Sequence, residues 1–283
     1  MRPPELRDED LTALAALLRR GDVVVLTGAG VSTDSGIPAY RDEEGRWQQS
    51  APMQFREFVG SRLAQKRYWA RSMVGWGRMA RAAPNDAHRA LAELEQRGLL
   101  RLLITQNVDG LHSAAGSANV VDLHGRLDRV ICLGCKSVTP RAELQARLEA
   151  ENPEFVGQSF VARADGDVEL SVDYERFRLT ACGACGGVLK PDVVFFGENV
   201  PAPRVQQAMA ALEGARALVI VGSSLMVFSG FRFARAAARA GVPIAVVNLG
   251  RTRADELAAL RLAGNVGELL QGALRAATEA ARA

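Results

Sequence analysis

Five short apolar runs with helical stretches between them constrain this chain more than any other feature of it. They are DVVVL (22–26), LLIT (102–105), VVDL (120–123), ALVIVG (217–222) and PIAVVN (243–248), and each passes directly into glycine or polar residues. A brief apolar run of that form reads as a strand buried on both faces, as in parallel sheets. Apolar residues recur at helical spacing over 5–20, 87–97, 204–213 and 231–240. Alternating strand and helix predicts an α/β fold, a Rossmann-like parallel sheet covered on both faces.

Two regions break the alternation. Residues 42–82 are helical and carry several aromatics, and 128–187 hold an acidic, irregular stretch and both cysteine pairs. The expected organisation is one discontinuous sheet domain (1–41, 83–127 and 188–283) with a helical insert at 42–82 and a metal-binding insert at 128–187.

With 35 basic and 32 acidic residues the net charge is only +3, and the arginines are scattered rather than clustered. That pattern describes solvated helix faces, not a nucleic-acid footprint. The start, MRPPELRDED, has no secretory apolar stretch, and no run approaches the ~20 residues of a membrane span. A cytoplasmic protein without a membrane segment is expected.

The strand ends carry the chemistry. TGAGVSTDSGIPAYR (27–41) follows the first strand, and Gly28 and Gly30 let backbone approach a ligand ahead of free N–H groups that suit a pyrophosphate. It is not the GxGxxG fingerprint, and alone it could be a structural turn. Four other runs end at Gln106-Asn107-Val108-Asp109, His124-Gly125, Gly222-Ser223-Ser224 and Asn248. Ligands of open parallel sheets bind at the carboxyl ends of strands, and five such polar ends make a nucleotide crevice. Of the three histidines, His88 reads as structural at a helix start and His112 as positioning its loop, while His124 stands at a strand end.

Cys132-x2-Cys135 and Cys182-x2-Cys185 form two close pairs with no cysteine left over. Four thiolates close a tetrahedral zinc site with no open position, which folds an insert rather than doing Lewis-acid chemistry. A redox CxxC is the weaker alternative, because neither pair opens a helix after a strand.

GAGVSTDSGIPAYR, TQNVDGLH (105–112), LHG (123–125), the two CxxC pairs, LKPDVVFFGE (189–198), GSSL (222–225) and NLG (248–250) resemble the sirtuin family, in its motif order. RYWARSMVGW (67–76) and GSSLMVFSGFRF (222–233) further resemble its class II branch, which includes a mitochondrial animal sirtuin. The resemblance implies an NAD-dependent protein lysine deacylase, acting on acylated lysine proteins or peptides, with NAD as co-substrate and one structural zinc. It implies His124 as catalytic base, with Asn107 also catalytic. Cofactor contacts would come from Gly28, Ala29, Gly30, Tyr40, Arg41, Gln106, Asn107, Val108, Asp109, Gly222, Ser223, Ser224, Asn248, Leu249, Gly250 and Val266. Tyr40 would shield the reactive ribose carbon, and Asn107 and Asp109 would line the nicotinamide pocket. A base titrating near neutrality is wanted, which histidine supplies without tuning.

PDVVFFGE (191–198) could be a sixth core strand. The resemblance instead makes Val193, Phe195, Phe196 and Gly197, with Val227, the edge that receives the substrate peptide as an added strand. Tyr68 and Arg71 lie three apart on a helix, and a related branch uses Tyr-x-x-Arg for acyl chains ending in a carboxylate. That reading favours succinyl or glutaryl types over acetyl; the alternative is that Tyr68 and Trp69 pack the insert while Arg71 is solvated or pairs with a nearby acid. Mono-ADP-ribosyl transfer to protein and a catalytically idle NAD-binding or scaffold module are the rival functions.

Overall fold

The computed structural model describes residues 8–48, 52–162 and 167–279; the start of the first expected helix, at 5–7, and the final alanine- and arginine-rich residues 280–283 lie outside them. In chain order the elements begin with α1 (Asp8–Arg19), β1 (Val23–Thr27), α2 (Phe55–Gly60), α3 (Arg62–Met79), α4 (Asp86–Gln96) and β2 (Leu100–Thr105). Then come α5 (Leu111–Ala114), β3 (Val120–Asp122), β4 (Gly125–Cys132), β5 (Val138–Pro140), α6 (Arg141–Glu151), β6 (Val161–Ala162) and β7 (Val168–Glu169). The chain continues through β8 (Leu189–Val193), α7 (Ala202–Leu212), β9 (Ala217–Val221), α8 (Phe228–Arg239), β10 (Ile244–Val247), β11 (Leu260–Leu262) and α9 (Val266–Glu279).

Six strands form one parallel sheet in the order β11-β10-β9-β1-β2-β3. All five residues of β1 are buried, and so are all five of β9. Because side chains alternate along a strand, Val23 and Val25 face one helical layer while Val24 and Leu26 face the other. The first layer supplies Leu14 and Leu18 of α1, Leu91 and Leu94 of α4 and Leu270 of α9. The second supplies Leu212 of α7 and Phe233 of α8. Each fully buried side chain of this size contributes about 1.5–3 kcal/mol. Local chemistry sets the helix starts: the Asn85 side chain accepts from the backbone of Ala87 and His88 to begin α4, and Ser61 accepts from Ala64 at the start of α3.

The sixth strand is not PDVVFFGE (191–198). Leu189–Val193 pairs antiparallel with β4, which also pairs with β5, in a separate three-stranded sheet. The parallel sheet gains β11 instead, a three-residue edge strand whose central Arg261 is exposed. Its short length and charged centre hide it from a search for apolar runs.

The segments 42–82 and 128–187 share a third core. Phe58 of α2 and Trp69 and Met73 of α3 pack with Val130 and Cys132 of β4, Leu144 and Leu148 of α6, Phe177 and Leu189. The Trp69 indole N–H donates to the Leu189 carbonyl at 3.1 Å. The buried Arg141 guanidinium lies 5.4 Å from the Trp69 ring centroid and 4.8 Å from that of Trp76, a cation–π setting for a charge inside this core.

Candidate active site and metal centre

A cavity of about 1060 Å³ opens at the carboxyl ends of β1, β2, β3, β9 and β10 and extends towards α3. It is lined by Gly28, Ala29, Gly30, Tyr40, Arg41, Gln106, Asn107, Val108 and His124, and by Gly222, Ser223, Ser224, Asn248, Leu249 and Gly250. Val193, Phe195, Phe196, Val227, Tyr68 and Arg71 line it as well. Three expected residues are absent from that lining: Asp109, Gly197 and Val266. Val266 is buried in the sheet's first layer at the start of α9, so its side chain packs there.

The loops after β1 and β9 touch backbone to backbone. Gly30 N–H donates to the Gly222 carbonyl at 2.8 Å, and Gly28 N–H to the Val221 carbonyl at 3.1 Å. A Cβ at Gly30 would lie 2.9 Å from the Gly222 oxygen, so only glycine permits this approach. Gln106 ties in the next strand, its amide donating to the Thr27 carbonyl at 3.1 Å and to Ser223 Oγ at 2.6 Å.

Asn107 is held from behind. Its Nδ2 donates to the Gly28 carbonyl at 3.1 Å and to Ser32 Oγ at 3.0 Å, while Ser32 donates to the Asp109 carboxylate at 2.7 Å. With both amide hydrogens committed, Oδ1 is the acceptor left to the cavity. Asp109 therefore acts one layer back: its charge fixes the direction of the Ser32 hydroxyl, which fixes Asn107. The same layer contains His88 and His112, rings 4.7 Å apart. Burial pushes His88 down to about 4 and His112 well below the usual range. Both are structural. His88 closes the cap of α4 with Asn85, and His112 Nε2 lies 3.0 Å from Thr27 Oγ1.

His124 Nδ1 is 2.9 Å from the Gln106 carbonyl oxygen, and Nε2 is 2.8 Å from Ser229 Oγ. The residue that follows, Gly125, has φ of +85°, a left-handed turn that brings the chain back into β4. Contrary to the expectation of a base titrating near neutrality, the imidazole is pushed down to about 4. Burial is the main cause, Arg204 and Arg232 add to it, and the Gln106 hydrogen bond opposes it. The ring is thus a weaker base than free histidine, but all of it is neutral at pH 7.

Three aromatic rings stand together at the cavity: Tyr40, Trp47 and Phe196, with centroid separations of 5.7–6.4 Å. Arg41 lies over Trp47 at 3.9 Å and donates to the Gly45 carbonyl at 2.7 Å. Towards α3, the Arg71 guanidinium is not free. It is 2.5 Å from an Asp167 carboxylate oxygen and donates also to the Val168 carbonyl. Much of the 193–196 main chain is also committed. Val194 N–H donates to the His124 carbonyl, Phe195 N–H to Glu198, and the Phe196 carbonyl accepts from Phe55. Sequence reasoning passed over Ser32, Ser229, Trp47 and Asp167. Ser32 and Ser229 sit inside recognised motifs, but nothing in their spacing gives the partner they meet.

The four cysteine sulfurs lie within 4.8 Å of one another, Cys132 to Cys185 at 3.5 Å and Cys135 to Cys182 at 3.8 Å. Zinc–sulfur bonds of about 2.3 Å require tetrahedron edges of about 3.8 Å, so the thiols fit zinc, whereas a disulfide needs about 2.05 Å. Cys132 and Cys182 are buried and Cys135 and Cys185 exposed, which seats the site at the rim of the third core.

Among the described residues no helix is long and apolar enough to cross a membrane. The Sir2 family profile matches residues 28–229. An NAD-dependent protein deacetylase of Xanthomonas campestris pv. campestris (strain 8004) is 56% identical over 89% of this chain and 86% of its own length. A protein of the same name from Bordetella bronchiseptica is 54% identical over 93% of this chain and 97% of its own. A solved structure of Sir2 with a p53 peptide and NAD+ superposes with a TM-score of 0.77 at 29% identity, covering 96% of this chain and 98% of that one. Family profile, close relatives and fold agree: this chain belongs to the Sir2, or sirtuin, family.

Proposed function

We propose that this protein is an NAD-dependent protein lysine deacylase, which moves an acyl group from lysine to ADP-ribose and releases nicotinamide. The relatives named NAD-dependent protein deacetylases support it. One observation carries it furthest: a neutral, half-buried His124 shares a cavity with Asn107, and that cavity reaches Tyr68 and Phe195 of the third core.

NAD supplies a ribose carbon made electrophilic by the departure of nicotinamide, and ribose hydroxyls that take up the acyl group. The residues around it have separable tasks. The glycine loop and Ser223 and Ser224 present N–H and hydroxyl donors to phosphate. Asn107 offers a fixed acceptor to the carboxamide. Tyr40, Trp47 and Phe196 keep water from a cation-like centre. His124 takes the proton from the attacking hydroxyl. Val193, Phe195, Phe196 and Val227 serve the acyl-lysine and its peptide, with Gly197 next in the chain.

Tyr68 and Arg71 form the far wall of the acyl channel, and Asp167 neutralises Arg71 there, which favours neutral acyl chains over acidic ones. RYWARSMVGW and GSSLMVFSGFRF support placement in the class II branch. The test is incubation with NAD and acylated peptides, following nicotinamide, deacylated peptide and O-acyl-ADP-ribose together. Stoichiometric formation of all three is expected; ADP-ribosylated protein in place of acyl-ADP-ribose would show the transferase reading to be the right one.

A further inference from the structure

Ser229 is assigned no part in the chemistry above, yet its hydroxyl is 2.8 Å from Nε2 of the base. The direction of that hydrogen bond follows from the other nitrogen. A backbone carbonyl only accepts, so the 2.9 Å contact between Nδ1 and the Gln106 oxygen places the ring proton on Nδ1. A neutral imidazole carries one N–H, so Nε2 is a bare lone pair and the serine hydroxyl is the donor. Ser229 lies in the first turn of α8, and it is not itself among the residues lining the cavity.

From this geometry we propose that Ser229 is a positioning residue for His124: it holds Nε2 unprotonated and occupied until a ribose hydroxyl takes its place. The proposal rests on His124 being the base. In the resting site the only proton-accepting atom of the ring is capped by a donor from the protein, so water is not activated there. On substrate binding the incoming hydroxyl donates to the same lone pair, and proton transfer follows along that bond. Ser229 exchanges one hydrogen bond for another and undergoes no covalent change.

The charged groups around the imidazole oppose its protonation. Arg204 of α7 and Arg232 of α8 both disfavour the imidazolium. Arg204 is 3.9 Å from Asp192 of β8, and Asp122 of β3 is 3.9 Å from Arg126 of β4, so the nearby carboxylates already face arginines. Ser229 acts in the same sense as the arginines, because a donor to Nε2 stabilises only the neutral ring.

Two measurements decide the matter. In ligand-free protein labelled with 15N-histidine, the His124 ring, identified by its loss in His124→Asn, should show the Nδ1–H tautomer at pH 7.5. An Nε2–H tautomer overturns the proposal while leaving His124 as base untouched, since that role is judged separately by deacylation in His124 variants. The second is the pH profile of kcat/KM for the acyl peptide, which reports groups of the free enzyme, where Ser229 still holds Nε2. Loss of one hydrogen bond to the neutral ring should raise the acidic limb by about half a unit to one unit in Ser229→Ala. Ser229→Thr, which keeps the hydroxyl, should follow wild type, and nicotinamide exchange should be equal in all three. A limb that stays in place in Ser229→Ala, or moves equally in Ser229→Thr, overturns it; should Ser229→Ala not fold, the tautomer measurement on wild type still decides.

Discussion

Arg71 and Asp167 form an ion pair 2.5 Å long in the wall of the cavity, linking α3 to the residue before β7. An acyl chain ending in a carboxylate would have to displace Asp167 to reach the guanidinium. Wild type should therefore favour neutral acyl chains over succinyl and glutaryl in kcat/KM. Asp167→Asn should raise succinyl relative to neutral chains by about tenfold, the scale of one charge-assisted contact, and adding Arg71→Met should erase the gain. If succinyl is already the best wild-type substrate, the pair does not guard the channel.

His124→Ala should lower single-turnover deacylation by a factor of about 100 to 10,000, the usual value of a general base, while nicotinamide exchange survives. The wild-type imidazole is held down to about 4. Its basic form therefore persists as pH falls from 8 to about 5 and is lost only as pH drops through about 4. A limb near 6.5 in a pH-jump assay would mean that the resting environment does not govern the base.

Ser32→Ala should disturb Asn107 without touching a cavity-lining residue, because Ser32 is the link between Asn107 and Asp109. Nicotinamide exchange should fall by about tenfold, the cost of one well-placed hydrogen bond. Asp109→Asn should act in the same direction, and Ser32→Ala/Asp109→Asn should be less than additive. Fully additive losses would place the two residues on separate routes.

Cys182→Ala or a strong chelator should remove one zinc per chain, with loss of solubility and activity together. A structural zinc contributes folding free energy outright. Atomic absorption showing active protein with no zinc would overturn the metal assignment.

The three histidines share a direction of shift, each lying below its ordinary value. The unfolded chain, with histidines near 6.5, then binds more protons than the folded one. Stability is present above pH 6.5 and declines as pH falls towards 4, by up to about 1.4 kcal/mol per pH unit for each histidine. Thermal denaturation from pH 7.5 to 5 should show it. His88→Gln keeps a capping side chain at the start of α4 and should flatten the dependence; an unchanged slope would remove His88 from the account.

The parallel sheet was legible because its strands are buried on both faces: β1 and β9 are continuous apolar runs with polar residues at their ends. β11 was not, since an edge strand can leave Arg261 in solvent. Gly28, Gly30, Gln106, Asn107 and His124 could be named from the strand ends on which they sit, whereas Tyr40, Arg41, Tyr68 and Arg71 came only with the resemblance to the sirtuins. The link from Asp109 through Ser32 to Asn107 was not legible, because sequence shows that Asp109 follows Asn107, not that Ser32 stands between them. Asp167 lies 96 residues from Arg71, and no local pattern marks such a partner.

The shared core of the two inserted segments separates two kinds of change that evolution can make in this molecule. Tyr68 and Arg71 project from a helix whose buried side, Trp69 and Met73, rests on the metal-bearing unit. Gly28, Gln106 and Ser223 stand on strand ends rooted in the other two cores. Under the proposed reading, substitutions around Trp69 would alter the wall beside the acyl chain without touching the hydrogen bonds that hold Asn107. The reaction can stay fixed while its range of substrates drifts.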